Sequence, residues 1–297
     1  MRSLWKWAYV AVSLAFMLWL LIAQWNDIRH VDWEIRSALM AAVMVALVML
    51  FFLSALGWHL ILRSLRVDTD ARTSIRTWLL SSLGRYLPGG VWGYVSRITM
   101  GVEQGIPAAT VGLALYLETL VLCAGAITAG IPAVVLAAGL PIEWHSVALL
   151  IVLLTAMMHP RALALLRFLP GKIGRAFAAT TLPSTGQLVF VYFYYVLFWA
   201  AYGVVFIGFV AALQQLPPGS ALPIGASMGL SFAVGLVAIF APGGIGVRES
   251  VLYLLLVPYL SPAASLLIAV SSRMWIVTGE AIAVGLTLLF LAPRVKS

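Results

Sequence analysis

The stretch Leu83-Gly84-Arg85-Tyr86-Leu87-Pro88-Gly89-Gly90-Val91-Trp92-Gly93 lies inside an apolar run from Ser74 to Met100, and its Pro-Gly-Gly breaks that run in two. A helix rises about 1.5 Å per residue, so arms of roughly 10 to 14 residues reach only about 15–21 Å. The hydrocarbon core of a bilayer is about 30 Å thick. Neither arm crosses it alone, and proline removes the backbone donor that would fuse the two into one helix. The stretch therefore predicts a re-entrant hairpin that enters and leaves by one face. Such backbone is tolerated at membrane depth only where protein encloses it or a wet cavity borders it. A second stretch, Ala241-Pro242-Gly243-Gly244-Ile245-Gly246-Val247-Arg248-Glu249, breaks the apolar run Pro223–Tyr259 in the same way.

The surrounding chain has the composition of a membrane protein. It has 297 residues, 63% hydrophobic and 9% charged, where soluble domains carry about 25% charged residues. No polar stretch is long enough to fold by itself, so residues 1–297 read as a single all-α polytopic membrane domain. Spanning helices need about 20 mostly apolar residues. Six segments qualify: Trp5–Ala23, Ala38–Leu62, Ala109–Gly139, Val147–Leu169, Gln187–Leu213 and Ala264–Leu291. The fourth is the weakest, since Pro160 and Arg161 interrupt it and its C-terminal part suits an interface. The first follows a basic N-terminus but is longer than a signal-peptide core, and Gln24 and Trp25 follow it rather than small residues, so it reads as a retained span. Cys123, the only cysteine, sits in an apolar run and has neither a disulfide partner nor metal-ligand spacing.

Charge orders these segments. Lys and Arg favour cytoplasmic loops. With six spans and both termini cytoplasmic in a cell inner membrane, Arg2, Lys6, Arg63, Arg66, Arg72, Arg76, Arg161, Arg167, Lys172, Arg175, Arg294 and Lys296 all fall on that side. The opposite loops keep only Arg29 and Arg36. The net charge of +8 is thus a topology signal, and no nucleic acid is expected. In this layout the first Pro-Gly-Gly segment starts and ends inside, and the second starts and ends outside. The chain divides into halves, 1–139 and 140–297, each being span, span, hairpin, span, in opposite orientations. Inverted repeats of this kind build many secondary transporters.

Few charges remain within the apolar segments. They are Arg85, Arg97, Arg248 and Arg273, with Glu118, Glu249 and Glu280. A charge at mid-bilayer costs about 2.5–3.5 kcal/mol on insertion scales and usually has a partner or a task. On a structural reading, Arg85 and Arg97 snorkel from a shallow hairpin, Arg248 and Glu249 pin the second hairpin, Glu118 pairs with Arg273 across the halves, and Glu280 satisfies a backbone break. On a binding reading, the two tips (Pro88, Gly89, Gly90 and Trp92; Pro242, Gly243 and Gly244) offer free backbone N–H groups at helix N-termini, which attract anions. The guanidinium fork of arginine suits phosphate oxygens. All these residues are then candidate substrate-binding positions. The aromatic cluster Tyr192, Tyr194, Tyr195 and Trp199 is read as a cavity lining or as helix packing.

The two Pro-Gly-Gly motifs, with Arg97 beyond the first and Arg248-Glu249 closing the second, resemble the flippase-like membrane domain of the lysylphosphatidylglycerol synthase family, over most of the chain. The resemblance implies movement of a modified phosphatidylglycerol or a polyprenyl-phosphate-linked lipid between leaflets. In full-length synthases a cytosolic domain attaches the amino acid. Ser297 directly follows the sixth span, so aminoacyl transfer is not carried over and no enzyme is expected.

The leading expectation is a membrane lipid translocator whose partners are the bilayer and a phospholipid or polyprenyl-phosphate lipid. No cofactor or metal is expected: the chain has no Walker loop, HExxH or paired His/Cys cluster. Two alternatives stay open. One is an intramembrane enzyme built on the glutamates and arginines. The other is a scaffold for envelope-biosynthesis enzymes, its basic loops resting on anionic lipid.

Overall fold

The computed structural model describes residues 22, 35–86, 91–138, 144–168, 170–238, 244 and 246–291. Every element among them is helical. The expected first span, apart from Ile22, lies outside them, as do Pro88, Gly89, Gly90, Pro242 and Gly243.

Among the described residues, four helices are long and apolar enough to cross a membrane. They are α1 (Ser37–Ser64), α4 (Ala108–Ala138), α8 (Thr185–Ala211) and α11 (Pro262–Phe290); shorter helices lie between them. A multi-pass membrane protein follows. The expected fourth span is bent: α5 (Trp144–Met158) ends before His159, and the chain turns by 53° into α6 (Pro160–Ala164) and a short tighter turn, Leu165–Phe168. Pro160 cannot donate to a continuing helix but suits a first helical position, and His159 caps the new helix by accepting from the Arg161 N–H. Counted as one span, this pair makes a fifth crossing. The short helix α7 (Gly171–Ala178) follows.

Short helices fill the two Pro-Gly-Gly segments. The first holds α2 (Ala71–Ser82) with its tighter extension Leu83–Tyr86, then α3 (Trp92–Glu103). Asp70 starts α2 by accepting from the Thr73 N–H at 2.6 Å. The arms are antiparallel: Gln104 bonds Thr77, Arg97 bonds Ser81, and Gly84 meets the backbone of Gly93. The second segment holds α9 (Ala221–Val237) and α10 (Val247–Leu256), packed on one another where Gly235 meets Arg248 and Gly244.

The long helices form the frame. In α4, 72% of the most apolar stretch is buried, against 39% in α1, α8 and α11, so α4 is the central helix. Trp199 and Tyr192 of α8 tie to it through the Leu122 carbonyl and Thr128, while Tyr194 donates to the Leu53 carbonyl of α1. Without a hydrophobic drive between helices in lipid, close approach depends on small residues. Gly203 meets Gly225 where α8 crosses α9, Gly208 receives Val43 of α1, and Gly279 of α11 receives Leu47.

The packing pattern has a correspondence built into it. α1 packs on α2 as α8 does on α9, and α2 on α3 as α9 on α10. Likewise α3 meets α4 as α10 meets α11, α8 meets α4 as α1 meets α11, and α9 meets α4 as α2 meets α11.

Candidate functional site

The short helices of both Pro-Gly-Gly segments converge on one cavity of about 280 Å³, bounded also by α1, α4, α8 and α11. Of the residues singled out by sequence, Arg85, Arg97, Glu118, Trp199, Gly244, Arg248 and Arg273 line it. Glu249 and Glu280 are buried and lie within ion-pairing distance of arginines of that wall. Trp92 begins α3, is 46% exposed and does not line the cavity.

The first wall is built on α2, α3 and α4. Glu118 projects from α4 with both carboxylate oxygens engaged: Oε1 accepts from the Trp78 indole N–H, and Oε2 from Arg97 Nη1, each at 2.5 Å. Arg97 also donates through Nε to Ser81 Oγ at 2.9 Å. Its guanidinium lies 4.8 Å from the Trp58 ring centroid and 5.2 Å from that of Trp78, a cation–π arrangement worth about 2 kcal/mol when desolvated. With a side chain 8% exposed, Arg97 does not snorkel. Trp58, Trp78 and Ser81 were not singled out from sequence. The available signal was the polar face of α2, where Ser74, Thr77, Ser81 and Ser82 are all buried on an arm otherwise read as apolar.

Glu118 and Arg273 do not pair, contrary to expectation. Arg273 instead lies with Nη1 3.7 Å from Glu249 Oε1, and Glu118 is taken by Arg97. Counted from the proline of each Pro-Gly-Gly, Glu118 and Arg273 fall within one position of each other, and corresponding positions need not touch. An ion pair of the first Pro-Gly-Gly segment with α11 is Arg85–Glu280, at 3.3 Å. Glu280 therefore answers an arginine rather than a broken backbone, and Arg85, 36% exposed, also donates to the Ser82 carbonyl at 3.0 Å.

The second wall also departs from expectation. Glu249 sits in the first turn of α10 and its Oε2 accepts from the Gly246 N–H at 2.7 Å. One donor of that helix N-terminus is thus satisfied internally and not held open for an anion. Gly246 has φ +83° and Gly244 has φ +68°, in the left-handed region that glycine enters freely. This turn carries Arg248 into the cavity. Its guanidinium meets Met228 Sδ at 3.6 Å and the Phe232 ring at 5.3 Å, beside Tyr202. No described carboxylate lies within ion-pairing distance of it. Trp199, which lines the cavity, packs on Phe232 at 5.0 Å and on Tyr202 at 5.4 Å; Tyr195 is wholly buried in packing.

Of the four arginines, three are ion-paired and one is not. Residues 6–279 match the transmembrane region of lysylphosphatidylglycerol synthase. The chain belongs to that family. The match covers both Pro-Gly-Gly segments and every charged residue of the cavity except Glu280. The chain matches no curated protein and no solved structure. Family membership places the protein among membrane proteins related to lipid modification or translocation. Among the described residues no group of histidines, cysteines or carboxylates has the arrangement to hold a metal.

Proposed function

We propose that the protein is a lipid translocator that carries a phosphate-bearing headgroup through this cavity while the acyl or polyprenyl chains stay in the bilayer. The observation that carries the reading is Arg248, a guanidinium on the cavity wall whose neighbours are a thioether, an aromatic ring and a phenol. Arg248 is half-buried, and a charge drawn away from water without a counter-ion is costly. A phosphate oxygen arriving there supplies the missing bonds. Glu118, Glu249 and Glu280 each hold an arginine in place, so we read the site as binding rather than catalytic.

The architecture belongs to the same proposal. We take α2–α3 and α9–α10 as re-entrant hairpins entering an inner membrane from opposite faces, in halves 1–139 and 140–297, with both termini cytoplasmic. Support comes from arm length, about 18 Å for the 12 residues of α2, and from the corresponding helix contacts of the two halves. Rocking of one half against the other would expose the cavity to each leaflet in turn.

The test is a proteoliposome assay of fluorescent phosphatidylglycerol, read by dithionite quenching. The native protein is expected to accelerate exchange, and Arg97→Ala combined with Arg248→Ala to bring it to the protein-free rate. Equal rates for native and variant would overturn the proposal. Mass spectrometry of the recovered lipid is expected to show no covalent change; a new lipid product would favour an enzyme.

A further inference from the structure

The charges around the cavity can be summed. Arg85, Arg97, Arg248 and Arg273 contribute four positive charges, and Glu118, Glu249 and Glu280 three negative ones. The stretches Leu87-Pro88-Gly89-Gly90 and Ile239-Phe240-Ala241-Pro242-Gly243 contain no ionisable side chain. The balance is a single positive charge, and the pairing locates it at Arg248.

We infer that the cavity is a single-charge filter: Arg248 accepts one phosphate charge, and Glu249 and Glu280, each already engaged with an arginine, reject a second. This rests on the anion-carrying reading above and adds a specificity mechanism to it. A phosphodiester head has one negative charge, which Arg248 neutralises. A diphosphate head brings at least two. Its extra charge finds the other guanidinia occupied: Arg97 by Glu118 between two indole rings, Arg273 by Glu249, Arg85 by Glu280. To bind it, the cavity must break a pair and strand a carboxylate, or hold the surplus charge unmatched; either is costly away from water. Glu249 and Glu280 are therefore specificity-determining residues for headgroup charge, acting through the arginines they hold.

Three lipids with the same diacyl anchor separate the possibilities: diacylglycerol, phosphatidylglycerol and diacylglycerol pyrophosphate. Binding of each to the purified full chain in detergent is measured by native mass spectrometry. Phosphatidylglycerol is expected to bind at least about tenfold more tightly than the pyrophosphate lipid, a factor that corresponds to about 1.4 kcal/mol. Glu249→Gln and Glu280→Gln each raise the cavity charge by one and keep a hydrogen-bonding amide, so each is expected to narrow that ratio or reverse it. Two different carboxylates are used so that one misfolded variant does not end the test. A pyrophosphate lipid bound as tightly as phosphatidylglycerol by the native protein would overturn the filter while leaving the anion site intact. A ratio unmoved in both folded Gln variants would do the same. If neither phosphate lipid binds better than diacylglycerol, the anion-carrying reading itself fails, and the filter with it.

Discussion

At the scale of single residues, Arg97 and Arg248 have the same chemistry and different neighbours. Arg97 is fixed by Glu118, Ser81 and two indole rings. Removing Glu118 leaves that guanidinium buried and uncompensated, so Glu118→Ala is expected to destabilise the protein by about 3–5 kcal/mol. Thermal unfolding in detergent measures this, and adding Arg97→Ala should recover part of the loss, because the double variant strands no charge. Arg248 breaks no ion pair when removed. Arg248→Ala should cost no more than about 1–2 kcal/mol of cation–π contact yet abolish lipid exchange in proteoliposomes. An Arg248→Ala variant that unfolds as readily as Glu118→Ala would show a structural role instead. The seven intramembrane charges were legible in the sequence, because a charge inside an apolar run stands out against its background. Their pairing was not. Which arginine meets which glutamate depends on helix rotation and on the crossing of segments far apart in the chain, and Trp78 looked like any other aromatic residue of an apolar arm.

At the scale of elements, the hairpins depend on glycines where backbones meet. A Cβ at Gly84 would lie 2.7 Å from the Gly93 nitrogen, and backbone cannot turn aside as a side chain can. Gly84→Ala is expected to separate the arms of the first hairpin at a cost of about 1–3 kcal/mol. In Gly112 of α4 a Cβ would meet nothing within 4 Å, so Gly112→Ala should be neutral or stabilising by up to about 1 kcal/mol. Thermal unfolding of the two variants side by side checks the contrast. Helix existence was readable from length and hydropathy, and α1, α4, α8 and α11 lie close to their expected bounds. The break at Pro160 was readable too. The 53° bend and the use of Glu249 to cap its own helix were not, since both depend on the local backbone path rather than on composition.

At the scale of the whole molecule, Arg85 and Glu280 form an ion pair between the first Pro-Gly-Gly segment and α11. Glu280→Ala should loosen that contact, and increased hydrogen exchange at the cavity-facing ends of α2 and α11 would register it; unchanged exchange would show that helix packing alone holds the halves. The pairing motif itself is repeated with its signs exchanged. In the first half an arginine of the second hairpin arm meets a glutamate of the next long helix, and in the second half a glutamate meets an arginine.

In the proposed architecture the two hairpins enter the membrane from opposite faces and return to the face they left. Single cysteines placed in a Cys123→Ala background at Asp68 and Glu103, which flank the first hairpin, and at Pro218 and Pro258, which flank the second, report this directly. In sealed right-side-out and inside-out vesicles, a membrane-impermeant maleimide is expected to label Asp68→Cys and Glu103→Cys only from the cytoplasmic face, and Pro218→Cys and Pro258→Cys only from the other. Labelling of Asp68→Cys and Glu103→Cys from opposite faces, or of all four positions from one face, would contradict the account.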